Sequence, residues 1–203
     1  MKFGYTINNK LMMNSNGKLL GVDPYNPLNL PQGTIRVRTN DGQPPDYLHY
    51  KGYDSATLVS GTTDVYDVFK SRDSFAGILD HSYNLVEILG GNTYNVTNMN
   101  FMFYDCPSLS SVHLFDTTNV TAMEEAFRDC SSLSSVPLFD TRNVINMNRM
   151  FFRCVNVQSG ALALYQQAST HSAVTRHIRT FTDCGINTET GSAELAQIPR
   201  DWK

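Results

Sequence analysis

The sequence predicts an α/β solenoid, built from coils of 24 residues that each contain a strand, a turn and a helix. Three observations predict this fold. One segment recurs at a constant period, and every copy of it holds one apolar pattern typical of a helix and one typical of a strand. Asn95, Asn119 and Asn143 begin successive copies, with no insertion between them. A fixed period of this length indicates a repeat architecture.

The helical pattern comes first in each copy. Met99, Met102, Phe103 and Cys106 are spaced at i, i+3, i+4 and i+7, which places them on one face of a helix. Thr121 to Glu124 also has the form of a capping box at a helix start. The equivalent apolar residues of the next two copies are Met123, Ala126, Phe127, Cys130, Met147, Met150, Phe151 and Cys154.

The strand pattern follows the helical one. Residues 109 to 115 alternate, with Val112 and Leu114 on the inner side. The segment from Leu133 to Phe139 repeats this alternation one period later, with Val136 and Leu138 on the inner side. Each copy is therefore predicted to contribute one short strand.

Residues 1–70 are interpreted as a β-rich N-terminal cap, which could also dock the chain to something else. Asn16 and Gly17 form a strong hairpin signal, residues 34–39 alternate as a strand, and residues 57–60 could form another. We expect residues 65–69 and 75–79 to be helical. Residues 71–203 are assigned to the solenoid, with the first, degenerate copy at about 71–94.

The C-terminal cap is expected to start at about residue 155. The apolar pattern of the fourth copy recurs with an offset of 30 instead of 24, so six residues are inserted. The residues Met147, Met150, Phe151 and Cys154 are matched by His177, Thr180, Phe181 and Cys184. Residues 160–168 supply the inserted residues as a predicted helix. The single tryptophan, Trp202, is expected to cover the last coil.

Composition and charge exclude several classes of function. Lys and Arg number 16 against 19 Asp and Glu, so no broad basic field for nucleic acid is expected. The sequence displays no signal peptide and no run long enough to span a bilayer, so we expect a soluble chain without membrane insertion. The four cysteines recur at equivalent places on neighbouring coils, too far apart for disulfides. We expect buried, reduced thiols, and neither a metal nor a cofactor.

The residues from Phe115 to Met123 read Phe-Asp-Thr-Thr-Asn-Val-Thr-Ala-Met, and a close variant runs from Phe139 to Met147. With the Leu-x-x-Val-x-Leu segment before it, this phrase resembles a leucine-rich repeat, and more narrowly the BspA-like subfamily. The resemblance implies a protein of a bacterial surface, or a phage virion protein that contacts the host. It implies binding of a protein or glycan on the host surface, or of another virion protein, and homo-oligomers are possible.

The outward side of the predicted strands is the candidate binding surface, and we call it the strand face. Phe115 and Phe139 would be in contact on neighbouring coils and form an exposed apolar strip. In the alternative, both rings lie under the N-terminal segment or turn inward at the corner. The candidate ligand-binding residues are Glu87, Leu89, Ser111, His113, Phe115, Ser135, Pro137 and Phe139.

The polar residues at the bends, Asn95, Asn119, Asn143, Asp116 and Asp140, could be imagined as a calcium or sugar site. We expect them instead to bond the backbone of the adjacent coil, because Asn and Asp do so in tight turns.

Catalysis finds little support, and we predict that the chain is not an enzyme. None of the five histidines belongs to a catalytic motif, and Glu124 and Glu125 are expected to be solvated outside a helix. The alternative is a carbohydrate-active protein acting on surface polysaccharide, whose aromatic residues stack sugars while two carboxylates act as acid and base. The residues considered for it are Tyr47, Tyr50, Tyr53, Asp80, Glu87, Asp105 and Asp129, among which the carboxylates form no recognisable pair in the sequence.

Overall fold

The computed structural model describes residues 6–7, 10–11, 28–45 and 52–203, the first four by their backbone alone. β1 (Thr6–Ile7) and β2 (Lys10–Leu11) pair antiparallel. The hairpin signal at residues 16 and 17 lies outside the described residues, as do two of the three tyrosines considered above, at positions 47 and 50.

A mixed sheet of five strands forms the first half of the described chain, in the order β4-β5-β3-β6-β7. Its neighbouring strands are antiparallel, except that β6 and β7 are parallel. The central strand β3 buries Ile35 and Val37 completely. The strands are β3 (Thr34–Thr39), β4 (Ser55–Leu58), β5 (Val65–Phe69), β6 (Leu85–Asn92) and β7 (Ser111–Val112).

The strand predicted at residues 34–39 is confirmed, and the helix predicted at residues 65–69 is wrong. The latter segment forms β5 and pairs with β3 from Phe69, opposite Thr34, to Val65, opposite Arg38. Because Val65, Tyr66 and Val68 are β-branched or aromatic, they suit a strand between two neighbours. The strand considered at residues 57–60 lies at Ser55–Leu58, two residues earlier.

The predicted fold class, an α/β solenoid of leucine-rich-repeat type, is wrong. The described residues form a small mixed sheet of five strands with only two α-helices, α1 (Ala161–Ala168) and α2 (Glu189–Gln197). Helix α1 lies in the insertion before the last repeated segment and α2 follows that segment, whereas the residues expected to be helical within each copy form turns instead.

The copies are nevertheless hydrogen-bonded to one another at the predicted period. We number them repeat 1 (71–94), repeat 2 (95–118), repeat 3 (119–142), repeat 4 (143–172) and repeat 5 (173–184). Isolated parallel bridges join each repeat to the next, and they lie at Ser74, Asn98, Ala122, Asn146 and Arg176. The period of 24 residues, with its extension to 30 in repeat 4, is therefore confirmed.

Two kinds of backbone hydrogen bond alternate along residues 99–106. The Phe101 N–H donates to Glu124 O in the next repeat at 2.9 Å, whereas the Met102 N–H closes a turn onto Met99 O at 3.3 Å. In a helix, both N–H groups would donate four residues back along the chain. The third residue of each such turn is left-handed, with φ of 58° at Phe101 and 52° at Asp105.

The side chains between the repeats form the core that the apolar pattern predicted. Met99, Phe103 and Cys106 are fully buried, and so are their equivalents in repeats 3 and 4. The Cys106 thiol donates to Leu79 O at 3.1 Å, and the Cys130 thiol donates to Phe103 O at the same distance. All four cysteines are free and buried, as predicted. Burial raises their pKa values, that of Cys184 to about 12.

The C-terminal segment covers repeat 5. The helix predicted at residues 160–168 is confirmed as α1. Trp202 is buried and stacks on His177, with ring centroids 4.2 Å apart and planes inclined by 8°. Its predicted position over the end of the core is also confirmed. Within the described part of the chain, no helix has the length and apolar character that crossing a bilayer requires.

Candidate functional site

The structure places the eight candidate residues of the strand face in different environments. Ser111, His113 and Ser135 are exposed, whereas Glu87 and Leu89 are half-buried. The other three candidates, Phe115, Pro137 and Phe139, are buried.

Phe115 and Phe139 do not form an exposed strip. Their ring centroids lie 5.0 Å apart inside the core, and Phe139 stacks on Phe127 at 5.7 Å. The inward alternative therefore holds. The physical reason is that β7 ends at Val112, and the alternation of inner and outer side chains ends with it. Leu138, predicted to be inside, is accordingly exposed. Binding by the exposed strand-face residues stays a prediction.

Asparagines at the bends bond to the preceding bend, about one period earlier in the chain. The Asn119 side-chain amide donates to Tyr94 O at 2.6 Å, and that of Asn143 donates to Thr118 O at 2.7 Å. Asp116 accepts the N–H of Thr118 within its own bend at 2.8 Å. The structural interpretation is therefore confirmed for Asn119 and Asn143, whereas Asp116 and Asp140 each accept a backbone N–H of their own bend instead of the adjacent coil.

A second surface, which the sequence did not indicate, runs along the turns. Each repeat places four residues on this surface, at the second and third positions of two turns, and we call it the turn face. In repeat 3 it consists of Glu124, Glu125, Arg128 and Asp129. The equivalent residues are Ala76, Gly77, Asp80 and His81 in repeat 1; Asn100, Phe101, Tyr104 and Asp105 in repeat 2; Asn148, Arg149, Phe152 and Arg153 in repeat 4; and Ile178, Arg179, Thr182 and Asp183 in repeat 5.

Arg128 lies at the centre of the turn face and contacts four side chains. Its guanidinium donates to Glu125 at 2.9 Å and to Asp129 at 3.0 Å. It also lies 5.3 Å from the ring centroids of both Tyr104 and Phe152, within the range of a cation–π contact. Arg128 therefore joins three repeats through charge and aromatic stacking.

The expected solvation of Glu124 and Glu125 is wrong. Glu125 is only 7% exposed, and it accepts from Arg149 at 3.1 Å as well as from Arg128. Glu124 accepts from the Asn146 side-chain amide at 3.0 Å. Because the segment is a pair of turns and not a helix, both carboxylates lie against the next repeat.

The first two repeats bring together carboxylates that the sequence left unpaired. The His81 ring lies between Asp80, at 3.5 Å, and Asp105, at 3.7 Å. The Tyr83 hydroxyl donates to Asp105 at 3.2 Å. Burial raises the pKa of Asp80, against the opposing effect of His81. Among the described residues, no group of three or more His, Cys, Asp or Glu side chains is placed to hold a metal ion.

The period itself is the signal that could have found the turn face. Residues one period apart lie on neighbouring repeats, so Glu125 and Arg149, which are 24 positions apart, were candidates for an ion pair. Asp80 and Asp105 are likewise separated by one period and one residue.

A cleft of about 420 Å³ lies where the end of β5 meets repeats 1 and 2. Its walls combine Phe69, Lys70 and Arg72 with amide side chains, among them Asn92 and Asn95. Its volume falls within the range of small-molecule sites, roughly 300 to 1,000 Å³.

Comparison with known protein families matches residues 63–184 to the family described as Mycoplasma protein of unknown function, DUF285. The match covers repeats 1 to 5 together with β5. No curated protein and no solved structure matches the chain.

Proposed function

Because the chain belongs to the DUF285 family, which is the family of BspA-like surface proteins, we propose that it is a non-enzymatic recognition or structural module of a bacterial surface or a phage virion. The proposed partner is a protein or glycan on the host surface, or another virion protein. The observation that carries the proposal is the turn face, on which arginine, aromatic and carboxylate side chains of successive repeats contact one another.

The residue types of the turn face are those that dominate binding energy at protein interfaces. Arginine, tyrosine and phenylalanine are enriched in interface cores, and arginine and tyrosine are frequent hot spots. Arg128 is already held by Glu125, Asp129 and two aromatic rings before any partner arrives. Such a surface loses little side-chain entropy on binding, which favours affinity.

The strand face is the weaker of the two surfaces. With Phe115 and Phe139 buried, its exposed candidates are two serines and His113. Small polar side chains offer little apolar area, so we assign the main contact to the turn face.

Attachment of the fluorescently labelled full chain to bacterial cells, measured by flow cytometry, tests the proposal. The cells are those of the bacterium that encodes the chain or that its phage infects. The double variant Phe101→Ser with Arg153→Ser removes one exposed ring and one exposed guanidinium from the turn face. We expect it to attach at least about tenfold more weakly.

The matched control is Tyr94→Ser with Arg142→Ser, which also removes an exposed ring and an exposed arginine, but from outside the turn face. It should attach like the parent chain. An equal loss in both double variants would argue against the turn face, and a loss confined to His113→Ala would return the contact to the strand face. A parent chain that attaches to neither cells nor virion proteins would refute the proposal.

The alternative function, a carbohydrate-active protein, is favoured by two observations. Asp80 and Asp105 lie on either side of His81, and the cleft beside Phe69 carries amide side chains suited to sugar hydroxyls. Incubation with surface polysaccharide and analysis of the products separates the two functions. Released oligosaccharide supports the alternative, whereas retention without cleavage supports the recognition module.

A further inference from the structure

The arginines of the chain are concentrated in its last repeats. Residues 141–182 contain five arginines and neither aspartate nor glutamate, in a chain whose acidic residues outnumber Lys and Arg by 19 to 16. Four of these arginines, Arg149, Arg153, Arg176 and Arg179, lie on or directly beside the turn face of repeats 4 and 5. Asp183 is the one carboxylate beside them on the turn face of repeats 4 and 5, so arginines outnumber acidic residues there by four to one, whereas acidic residues outnumber Lys and Arg in the whole chain.

Two of the four arginines on or beside the turn face already have an acidic partner. Arg149 donates to Glu125 at 3.1 Å, and Arg153 lies 4.0 Å from Asp129. Both partners belong to repeat 3, on the acidic side of the surface. Two ion pairs therefore join the turn faces of repeats 3 and 4.

Among the described residues, no ion pair joins the turn faces of repeats 4 and 5, although Asp183 occupies the position equivalent to Arg153. Arg179 occupies the position equivalent to Arg149, and the Arg149 N–H donates to Ile178 O at 3.0 Å, so the two arginines lie on neighbouring repeats. Arg176 and Arg179 are exposed, and their side chains form no hydrogen bond or ion pair with the residues that the structure describes. Like charges on neighbouring repeats repel, and a bound anion would relieve that repulsion.

Exposed aliphatic side chains accompany the unpaired arginines. Ile178 is 64% exposed and Ile145 is 48% exposed. Ile145 O accepts the N–H of Arg176 at 3.1 Å, so these residues are direct neighbours. Isoleucine beside arginine suits a partner with both carboxylates and apolar side chains, which is a protein segment and not a sugar chain.

The backbone that carries these residues is firmly held. The Ile178 N–H donates to the Asn148 side chain at 2.9 Å, and the buried Thr180 hydroxyl donates to Met147 O at 2.9 Å. Trp202 stacks on His177 directly beside Ile178. The guanidinium groups are therefore presented from a rigid backbone, which limits the entropy lost on binding.

We propose that the end of the turn face formed by Arg149, Arg176, Arg179 and Ile178 binds an acidic segment of a partner protein, with carboxylates on the guanidiniums and an aliphatic side chain beside Ile178. The proposal rests on the recognition function and names the chemistry of its partner. All the cations involved are arginines, whose planar fork matches a carboxylate better than a lysine does.

Fluorescence anisotropy of a short labelled peptide of glutamate, isoleucine and serine, titrated with the full chain, tests this. The matched peptide carries glutamine in place of every glutamate. We expect saturable binding of the glutamate peptide alone, weakened at about 0.15 M salt relative to low salt. Arg176→Gln with Arg179→Gln should weaken binding about tenfold or more. Arg72→Gln, an exposed arginine in repeat 1, is the control and should leave it unchanged.

Equal binding of the two peptides, or unchanged binding by the Arg176→Gln and Arg179→Gln variant, would overturn the proposal. Preference for polygalacturonate or dextran sulfate over the glutamate peptide would overturn it in favour of an anionic glycan. A chain that attaches to cells through the turn face yet ignores the glutamate peptide would refute this partner while leaving the recognition function standing. A chain that binds the peptide but attaches to neither cells nor virion proteins would refute the recognition function instead.

Discussion

The five-stranded sheet and the repeats build the same kind of backbone ladder from different conformations. In the sheet, β3 lies between β5 and β6 in extended conformation and bonds to both along its length. In the repeats, alternate N–H groups such as those of Phe101 and Phe103 bond to the next repeat, while the groups between them close turns. Pairing between neighbouring segments therefore does not require extended strands.

The two regions also fill their cores differently. The sheet buries Ile35 and Val37 by simple alternation. Repeats 2 to 4 bury the same residue type at several positions, so identical side chains meet: Phe103 and Phe151 each lie 5.1 Å from Phe127 by ring centroids. A mutation in this phenylalanine column therefore removes contacts with both neighbouring repeats, whereas a mutation at an exposed position of the same repeat removes few contacts.

Phe127→Ala should show the largest effect, because it opens a cavity among the rings of Phe103, Phe139 and Phe151. We expect a loss of about 3 to 5 kcal/mol in the free energy of unfolding, measured by urea denaturation. Phe101→Ala, which removes the same side chain from a position 39% exposed, is the control and should cost less than about 1 kcal/mol. Similar losses in the two variants would contradict the arrangement of the phenylalanine column.

Glycine and alanine at position 179 distinguish the turns from helices by the sign of the effect. Arg179 is exposed and left-handed, with φ of 59°. A left-handed residue with a Cβ costs roughly 1 to 2 kcal/mol, so Arg179→Gly should be more stable than Arg179→Ala by about 1 kcal/mol.

The helix α1 provides the opposite case. Gln166 is exposed within α1, where Gln166→Gly should be less stable than Gln166→Ala by about 1 kcal/mol. Thermal melts of the four variants measure both differences. If the glycine variant were less stable than the alanine variant at position 179 as well as at position 166, the turns of the repeats would have to be helical.

The sequence predicted what is buried in the repeats better than how the backbone runs. Spacing at i, i+3, i+4 and i+7 buries Met99 and its partners in a helix, and two successive turns bury the same residues. The pattern therefore could not separate the two conformations. Gly77, left-handed in repeat 1 at the position equivalent to Phe101, was the one local signal for a turn. Among the other left-handed positions of the turns, Asp and His are compatible with this conformation, whereas Phe, Glu and Arg do not indicate it.

The candidate site shows the same limit. Inner and outer positions of the strand face were assigned by extending an alternation past Val112, where the strand ends, so the inward direction of Phe115 was only one of two alternatives. The helix α1 and the strand β3 were predicted correctly, because the pattern that predicts each of them lies within its own segment. The turn face depends on contacts between residues one period apart, and the pattern within a single segment does not indicate such contacts.

The smallest predicted effect contrasts two aspartates, one on the turn face and one at a bend. Burial raises the pKa of Asp80, so its ionised form destabilises the fold once the pH rises above about 4, the usual aspartate value. The hydrogen bond from Arg142 lowers the pKa of Asp140, so its ionised form stabilises the fold above about pH 4, and this contribution is lost as the pH falls through the lowered value.

Asp80→Asn should therefore gain stability relative to the parent chain as the pH rises from 3 to 7, and Asp140→Asn should lose it over the same range. Both differences should stay within about 1 kcal/mol, because each carboxylate is partly solvated. Urea denaturation of the three proteins at several pH values in this range measures them. If the two variants changed in the same direction with pH, the carboxylate beside His81 could not be held in a more desolvated environment than the carboxylate at the bend.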